Sequence, residues 1–436
     1  MSGKPARSLP QVRVAPARRC AYVVLRRVFE DGAYADRALQ GEAKELDARD
    51  RALAMRLLYG AVQRKGTLDF LIERLADRPV EKLDARLLAA LRLGLYELLY
   101  LSGAPDHAVV ADGVELAKGG ARGGHGLVNA VLRRGVREGA ALLDWLSDQT
   151  PGQAAIKHSH PEWIARMWWE ELGPDDACAL MAYDNEPGEV ALRANTLVTD
   201  AATLMGELPV ATHTDPNLPE ALVLEGPFDA HDSPAWRTGA FLAQSRAAMR
   251  VSRALGPQPG ERVLDLCAAP GGKSTHLAAL MQGRGEVVAV ERNSRRAGML
   301  TRTAQRLHAH NVRVEVADAA APRPEGAVYD RVLVDPPCSG LGTLQARADL
   351  RWRVTPKDVR EMTRTQAAIL AAGAAAVRPG GVLVYSTCTI SPTENEHQIT
   401  AFLDAHPDFS CDELIATLPH RDHTAGFFIA RLLRRA

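Results

Sequence analysis

The sequence is short of cysteine pairs, of long apolar runs and of net charge, and each shortage closes off a class of protein. Six cysteines, Cys20, Cys178, Cys267, Cys338, Cys388 and Cys411, are scattered over 436 residues with no Cys-x-x-Cys spacing. Neither a disulfide framework nor a zinc site is indicated, so no metal is expected and the thiols should be free in a reducing cytoplasm. No stretch is apolar for long enough to cross a bilayer, and Pro5, Pro10 and Pro16 stand where a signal peptide would carry its apolar run. The expectation is a soluble, cytoplasmic monomer with no membrane partner; an organelle transit peptide is the second reading of the Arg-rich start. Formal net charge is zero. That balance conceals an asymmetry, because residues 1–29 hold seven basic groups (Lys4, Arg7, Arg13, Arg18, Arg19, Arg26, Arg27) and no acid. Such an arm reads either as a nucleic-acid contact or as solubilising charge.

A chain of this length is enough for two or three domains, and the pattern of apolar residues suggests three: 1–145, 146–255 and 256–436. From 17 to about 140 the apolar residues recur at helical spacing, as in Ala21, Val24, Leu25, Val28 and Phe29, and in Leu87, Leu88, Leu91, Leu95, Leu98 and Leu99. Breaks at Asp31-Gly32, Asp77-Arg78-Pro79, Ser102 to Pro105 and Gly119 to Gly124 predict a bundle of five or more helices. Segments here, Arg49 to Leu53 with Tyr59-Gly60, Pro105 to Val109 with Val114 to Lys118, and Val128 to Arg134, resemble the helical RNA-binding fold named after the antitermination factor NusB. Ala111-Asp112 stands where that family usually has Asn-Glu.

Between 146 and 255 the pattern is mixed and predicts a small α+β module that contacts RNA. Tryptophans 163, 168 and 169 on one helix read as packing ahead of base stacking. Arg193 with Asn195, ending the strand Val190 to Asn195, is the expected nucleic-acid contact. From 261 onward short β-rich runs alternate with helical stretches: Arg262 to Leu266, Val287 to Glu291, Val312 to Val316, Arg331 to Asp335 and Gly381 to Ser386. That alternation predicts an α/β domain with a doubly wound, Rossmann-like parallel sheet.

The first of these strands runs into Cys267-Ala268-Ala269-Pro270-Gly271-Gly272-Lys273 and then a helix. Glycine lets a ligand approach the backbone, and the helix start offers unpaired N–H groups. A phosphate-loop reading fails because position 267 is cysteine where the first glycine should fall, and the dinucleotide spacing G-x-G-x-x-G is absent. What remains is a glycine turn followed, at the end of the second strand, by Glu291, the place of an acid that accepts ribose hydroxyls. Asp318, past the third strand, could receive an adenine amino group. An adenosine ligand without a phosphate chain satisfies both, and S-adenosyl-L-methionine is the one that fits. Two further strands end in cysteine segments, Asp335-Pro336-Pro337-Cys338 and Ser386-Thr387-Cys388. Thiols on the ligand-binding rim suggest covalent catalysis.

These segments, with Ser339-Gly340-Leu341-Gly342 and Glu394-Asn395-Glu396, resemble the RNA (cytosine-5) methyltransferase family, in particular its bacterial members acting on small-subunit ribosomal RNA. Together with the helical front, the likeness covers nearly the whole chain. The resemblance implies Cys388 as nucleophile, Cys338 as the second catalytic cysteine, and cofactor binding by Cys267, Ala268, Ala269, Pro270, Gly271, Gly272, Lys273, Glu291, Asp318 and Asp335. Asp335 could also hold the N3/N4 edge of the base. RNA, with small-subunit ribosomal RNA as the expected class, is the implied partner; a transfer RNA substrate is the alternative. Two rivals stand beside this reading. An amino-group methyltransferase would carry an aromatic residue at 338 and would need no thiol, and a non-catalytic RNA-binding assembly factor would bind cofactor without methyl transfer.

Overall fold

The helical stripes of the front half bury as their spacing predicts. The computed structural model describes residues 14–118, 123–226 and 228–436, so Lys4, Arg7 and Arg13 of the basic arm lie outside the described residues. Contacts group the chain into two units, one comprising residues up to 185 with 347–353 and the other 186–346 with 354–436. The expected division was into three stretches, 1–145, 146–255 and 256–436. By packing, the helices between 151 and 183 group with the front.

Among the described residues seven helices make up the front bundle: Pro16–Glu30, Ala35–Glu42, Ala48–Gln63, Lys65–Ala76, Ala85–Tyr100, Asp106–Ala117 and Gly124–Asp144. Ala21, Val24, Leu25, Leu91 and Leu95 are buried in one continuous core. Arg18, counted with the basic arm, is an internal tie. Its guanidinium pairs with Glu97 at 2.6 Å and with Asp112 at 2.8 Å, so the aspartate of Ala111-Asp112 holds the first helix of the bundle. Trp168 is fully buried, its ring 5.6 Å from that of His160, as a packing residue. The short segment Leu350–Arg353 also belongs to this unit: buried Arg351 donates to Asn185 Oδ1 at 2.9 Å and to the carbonyls of Asp184 and Ser159.

The second unit holds two sheets. Strands β1 (Ala191–Ala194), β2 (Thr212–Asp215), β3 (Leu218–Leu224) and β4 (Phe241–Ala243) form an antiparallel sheet in the order β2-β3-β1-β4. Strands β5 (Arg262–Leu266), β6 (Glu286–Val290), β7 (Val312–Glu315), β8 (Tyr329–Val334), β9 (Val377–Thr387), β10 (Phe409–Thr417) and β11 (Phe427–Arg434) form the larger sheet, ordered β10-β11-β9-β8-β5-β6-β7. Its five strands from β5 to β9 are parallel. The pair β10–β11 is antiparallel, so the sheet is mixed, not wholly parallel as its alternation suggested. Side chains alternate between two cores: Val263 of β5 joins Leu277 and Val251 on one face, Leu264 and Leu266 join Ile369 and Leu370 on the other. The chain leaves β5 toward β6 and β7, then returns to β8 on the opposite side. That reversal opens a crevice at the carboxyl ends of β5 and β8, where ligands bind in such sheets.

Arg193 and Asn195 are not surface residues. β1 is paired on both sides, by β3 and by β4, so its end lies in the interior and both side chains are buried. Arg193 donates to Gln244 Oε1, to the Gly272 carbonyl and to Thr275 Oγ1 at 2.9 Å, and Asn195 donates to the carbonyls of Gly239 and Leu307. The expected nucleic-acid contact is therefore a tie between the small sheet and the start of the helix Gly272–Leu280.

Removing that tie strands several buried partners. Arg193→Met should destabilise the protein by about 3 kcal/mol or more in urea unfolding. Unchanged stability with a loss confined to RNA affinity would return Arg193 to the surface role.

Candidate active site

The loop after β5 owes its shape to residues with positive φ. Cys267 (φ 65°) and Gly271 (φ 103°) lie in the left-handed region, which glycine alone enters freely. The turn presents the first residues of the helix Gly272–Leu280 to a cavity of about 360 Å³ lined by Leu242, Gln244, Asp265, Ala268, Lys273 and Asp335, among others. Of the expected cofactor residues, Ala268, Ala269, Pro270, Gly272, Lys273 and Asp335 line this cavity; Cys267, Gly271, Glu291 and Asp318 do not. Glu291 is buried, with Oε1 accepting from the Asn293 amide at 2.9 Å and Oε2 3.3 Å from Arg296 Nη1. Asp318 is exposed and accepts from the amide of Ala320. Burial pushes the Cys267 thiol up to about 12, which fits a packing residue and not a nucleophile.

Asp265 is the site residue that sequence reasoning passed over, because in Val-Leu-Asp-Leu it read as one more strand position. It is buried, accepts from Ser274 Oγ at 2.6 Å through Oδ2, and leaves Oδ1 with no hydrogen-bond partner while lining the cavity. Burial, with the nearby Asp335 charge adding to it, pushes its carboxyl up to about 7. Asp335 is held on both oxygens, by Lys273 Nζ at 2.6 Å and Ser386 Oγ at 3.1 Å. Burial works to lower the Lys273 ammonium, but the charge and hydrogen bond of Asp335, aided by Cys388, hold it above its ordinary value.

The two expected catalytic thiols meet: Cys338 Sγ lies 3.4 Å from Cys388 Sγ. The hydrogen bond to Cys388, burial, and the charges of Cys388, Glu394 and Asp335 keep the Cys338 thiol well above the ordinary range.

Each cysteine loop is pinned through the segment Glu394-Asn395, which sequence reasoning quoted only as a likeness. Glu394 accepts from the Ser339 amide at 2.8 Å, from Ser339 Oγ at 2.5 Å and from Gln366 Nε2 at 3.0 Å. Asn395 accepts from Thr387 Oγ1 and donates to the Thr389 carbonyl. Gly342 donates from its amide to the Cys388 carbonyl at 3.0 Å, and a Cβ there would lie 2.0 Å from the Gly426 carbonyl oxygen, so no larger residue fits.

Among the described residues one Asp/His/Cys grouping has ligand-like spacing, Asp148, His158 and Cys178, and its carboxylate is already met by Lys157 at 2.7 Å and His158 at 3.1 Å. Among the described residues no helix is long and apolar enough to cross a membrane.

Comparison with known proteins bears on the whole length. Residues 252–433 match the family model described as 16S rRNA methyltransferase RsmB/F, residues 15–137 the NusB family, and residues 160–231 the ferredoxin-like domain of RsmF/B-like methyltransferases. A protein of Synechocystis sp. named "Probable ribosomal RNA small subunit methyltransferase B" is 38% identical over 95% of this chain and 99% of its own length. The ribosomal RNA small subunit methyltransferase B of Klebsiella pneumoniae (strain ATCC 700721 / MGH 78578) is 32% identical over 96% of this chain and 98% of its own length. Among solved structures, PH0851 superposes with a TM-score of 0.78 at 28% identity, covering 97% of this chain and 99% of that one. A methyltransferase homolog protein from Pyrococcus horikoshii gives a TM-score of 0.59 at 26% identity over 66% of this chain and all of that one.

The raised carboxyl of Asp265 sets a pH dependence. An unfolded aspartate ionises near pH 4, whereas the folded one keeps its proton up to about pH 7. The folded state therefore binds more protons between those values, and this contribution to stability falls as pH rises from about 4 to 7. Asp265→Asn, which can still accept from Ser274, should melt higher than the parent at pH 8, with the difference shrinking toward pH 5. Parallel melting curves across that range would contradict the assignment.

Proposed function

Because this chain belongs to the ribosomal RNA small subunit methyltransferase B family, we propose that it methylates C5 of a cytidine in small-subunit ribosomal RNA, in the cytoplasm, using S-adenosylmethionine and a covalent Cys388–C6 bond. The observation that carries the covalent reading is the pair of thiols 3.4 Å apart at the carboxyl ends of adjacent strands. An exocyclic amine needs no such pair, which argues against the amino-group rival.

The pocket suits the cofactor. Asp265 Oδ1 is a buried oxygen without a partner on the cavity wall, and a cationic amino group would satisfy it. The turn Cys267 to Lys273 would hold the methionine end together with Asp335, Glu291 would take the ribose hydroxyls and Asp318 the adenine amino group. When bound, S-adenosylmethionine supplies an electrophilic methyl group on a sulfonium sulfur.

C5 of cytosine is too electron-poor to take a methyl group unaided. The Cys388 thiolate adds to C6, the electron pair of the 5,6 double bond moves into the ring, and N3 takes up a proton. C5 is then a nucleophile. Once C5 carries the methyl group, its hydrogen must leave as a proton. With its sulfur bonded to C6, Cys388 carries no charge, and the strongest influence holding the Cys338 proton is gone. Cys338 can then ionise and accept the C5 proton; the C5–H pair re-forms the double bond, N3 gives back its proton and Cys388 departs as thiolate. Lys273, beside both Asp335 and Cys388, steadies the charge at each end of this cycle. Phosphate contacts should come in part from the front domain, where residues 1–150 carry 24 Lys plus Arg against 19 Asp plus Glu.

Three variants test this reading. Glu291→Ala should weaken S-adenosylmethionine binding by about 1–3 kcal/mol, the cost of stranding polar partners, and unchanged affinity by calorimetry would remove Glu291 from the site. Cys388→Ala should form no covalent adduct with RNA and be inactive. Cys338→Ala should add to C6 and transfer the methyl group but stall, leaving a protein–RNA adduct that survives denaturing electrophoresis. An adduct persisting in Cys388→Ala would reverse the two roles.

A further inference from the structure

Two thiols at 3.4 Å have equal access to one another's proton, so their division of labour must come from the charges around them. The groups facing the pair are Lys273, Asp335, Glu394 and the Tyr385 hydroxyl. Lys273 and Asp335 neutralise each other at 2.6 Å. Glu394 is different: it is fully buried, and its hydrogen-bond partners, the Ser339 amide and hydroxyl and the Gln366 amide, are all neutral. The same Gln366 nitrogen holds the Pro337 carbonyl at 3.0 Å, so both neighbours of Cys338 are fixed to this carboxylate or to its partner.

We propose that Glu394 is a positioning residue that assigns the two thiols their roles, its buried negative charge keeping Cys338 protonated in the resting enzyme and leaving the thiolate to Cys388. The inference rests on the reading of Cys388 as nucleophile. Three observations support it. Among the described residues Glu394 is the one carboxylate at the pair with no cationic partner, and in a poorly solvated site an uncompensated charge acts strongly on its neighbours. It is bonded to the residue next to Cys338, whereas the Cys388 loop is held by the uncharged Asn395. Its charge acts in the direction that raises Cys338, while the Lys273 ammonium interacts with Cys388.

Glu394→Gln tests the charge separately from the shape, since the amide oxygen can still accept from Ser339 N and Gln366 and the amide nitrogen can donate to Ser339 Oγ. The full-length protein is treated with iodoacetamide between pH 6 and 9, and initial labelling of the Cys338 and Cys388 peptides is followed by mass spectrometry. In the parent, Cys388 should label first. In Glu394→Gln, labelling of Cys338 at pH 8 should rise about tenfold, the effect of about one pKa unit, with Cys388 little changed. Ser339→Ala removes a hydrogen bond and keeps the charge, so it should leave Cys338 slow. An unchanged Cys338 rate in Glu394→Gln, or an equal rise in Ser339→Ala, would overturn the proposal. If Glu394→Gln does not fold, the parent alone decides: half-maximal labelling of Cys338 at or below the pH found for Cys388 contradicts it. Faster labelling of Cys338 in the parent, with the Glu394→Gln increase still present, would instead indict the choice of nucleophile.

Discussion

Val334 lies opposite Tyr385 in the parallel pairing of β8 with β9, and the chemistry depends on this register. It sets Asp335 beside Ser386, whose hydroxyl bonds the carboxylate, and it sends the two loops that follow in the same direction from adjacent positions. The thiols then meet at 3.4 Å. A parallel pair is slanted and needs a long crossover, supplied here by the stretch that includes the helix Pro356–Ala376. That helix returns a benefit to the site, since Gln366 reaches from it to both Glu394 and the Pro337 carbonyl. A slip of this register would displace Asp335, Cys338 and Cys388 together.

Electrostatics at the site follows from the same geometry. The crevice where the chain reverses between β5 and β8 collects carboxylates from two strand ends, Asp265 and Asp335, with one lysine between them and the thiol pair. A single ammonium cannot neutralise every acid in so dry a place. Asp335 takes it, and Asp265 is left to hold a proton up to about pH 7. The arrangement suits a cationic cofactor on one side and a thiolate that must wait for its substrate on the other.

Much of this was legible in the sequence, and the gaps have physical causes. Helical stripes such as Val24, Leu25 and Val28 and the buried strands β5 and β8 follow from spacing and composition alone. The cysteine loops were recognisable because each follows a run of branched apolar residues. The strand β10 was missed because most of its side chains are exposed, which hides the alternation that marks a half-buried strand. Arg193 was misread because a strand end looks the same in sequence whether the strand is an edge or, like β1, paired on both sides. Asp265 was invisible for the opposite reason, a polar residue among apolar ones with its partner Ser274 in another element. Glu394 gave no clue to its role, since Ser339, which it holds, is 55 positions away.

The proposed product, a cytidine of small-subunit ribosomal RNA methylated at C5 through Cys388, can be read in cells. Bisulfite sequencing of that RNA from cells lacking the gene, and from the same cells carrying the parent or Cys388→Ala, tests it directly. One protected cytidine should become convertible in the deletion, be protected again by the parent gene and stay convertible with Cys388→Ala. Identical protection in all three RNAs, or restoration by Cys388→Ala, would contradict it.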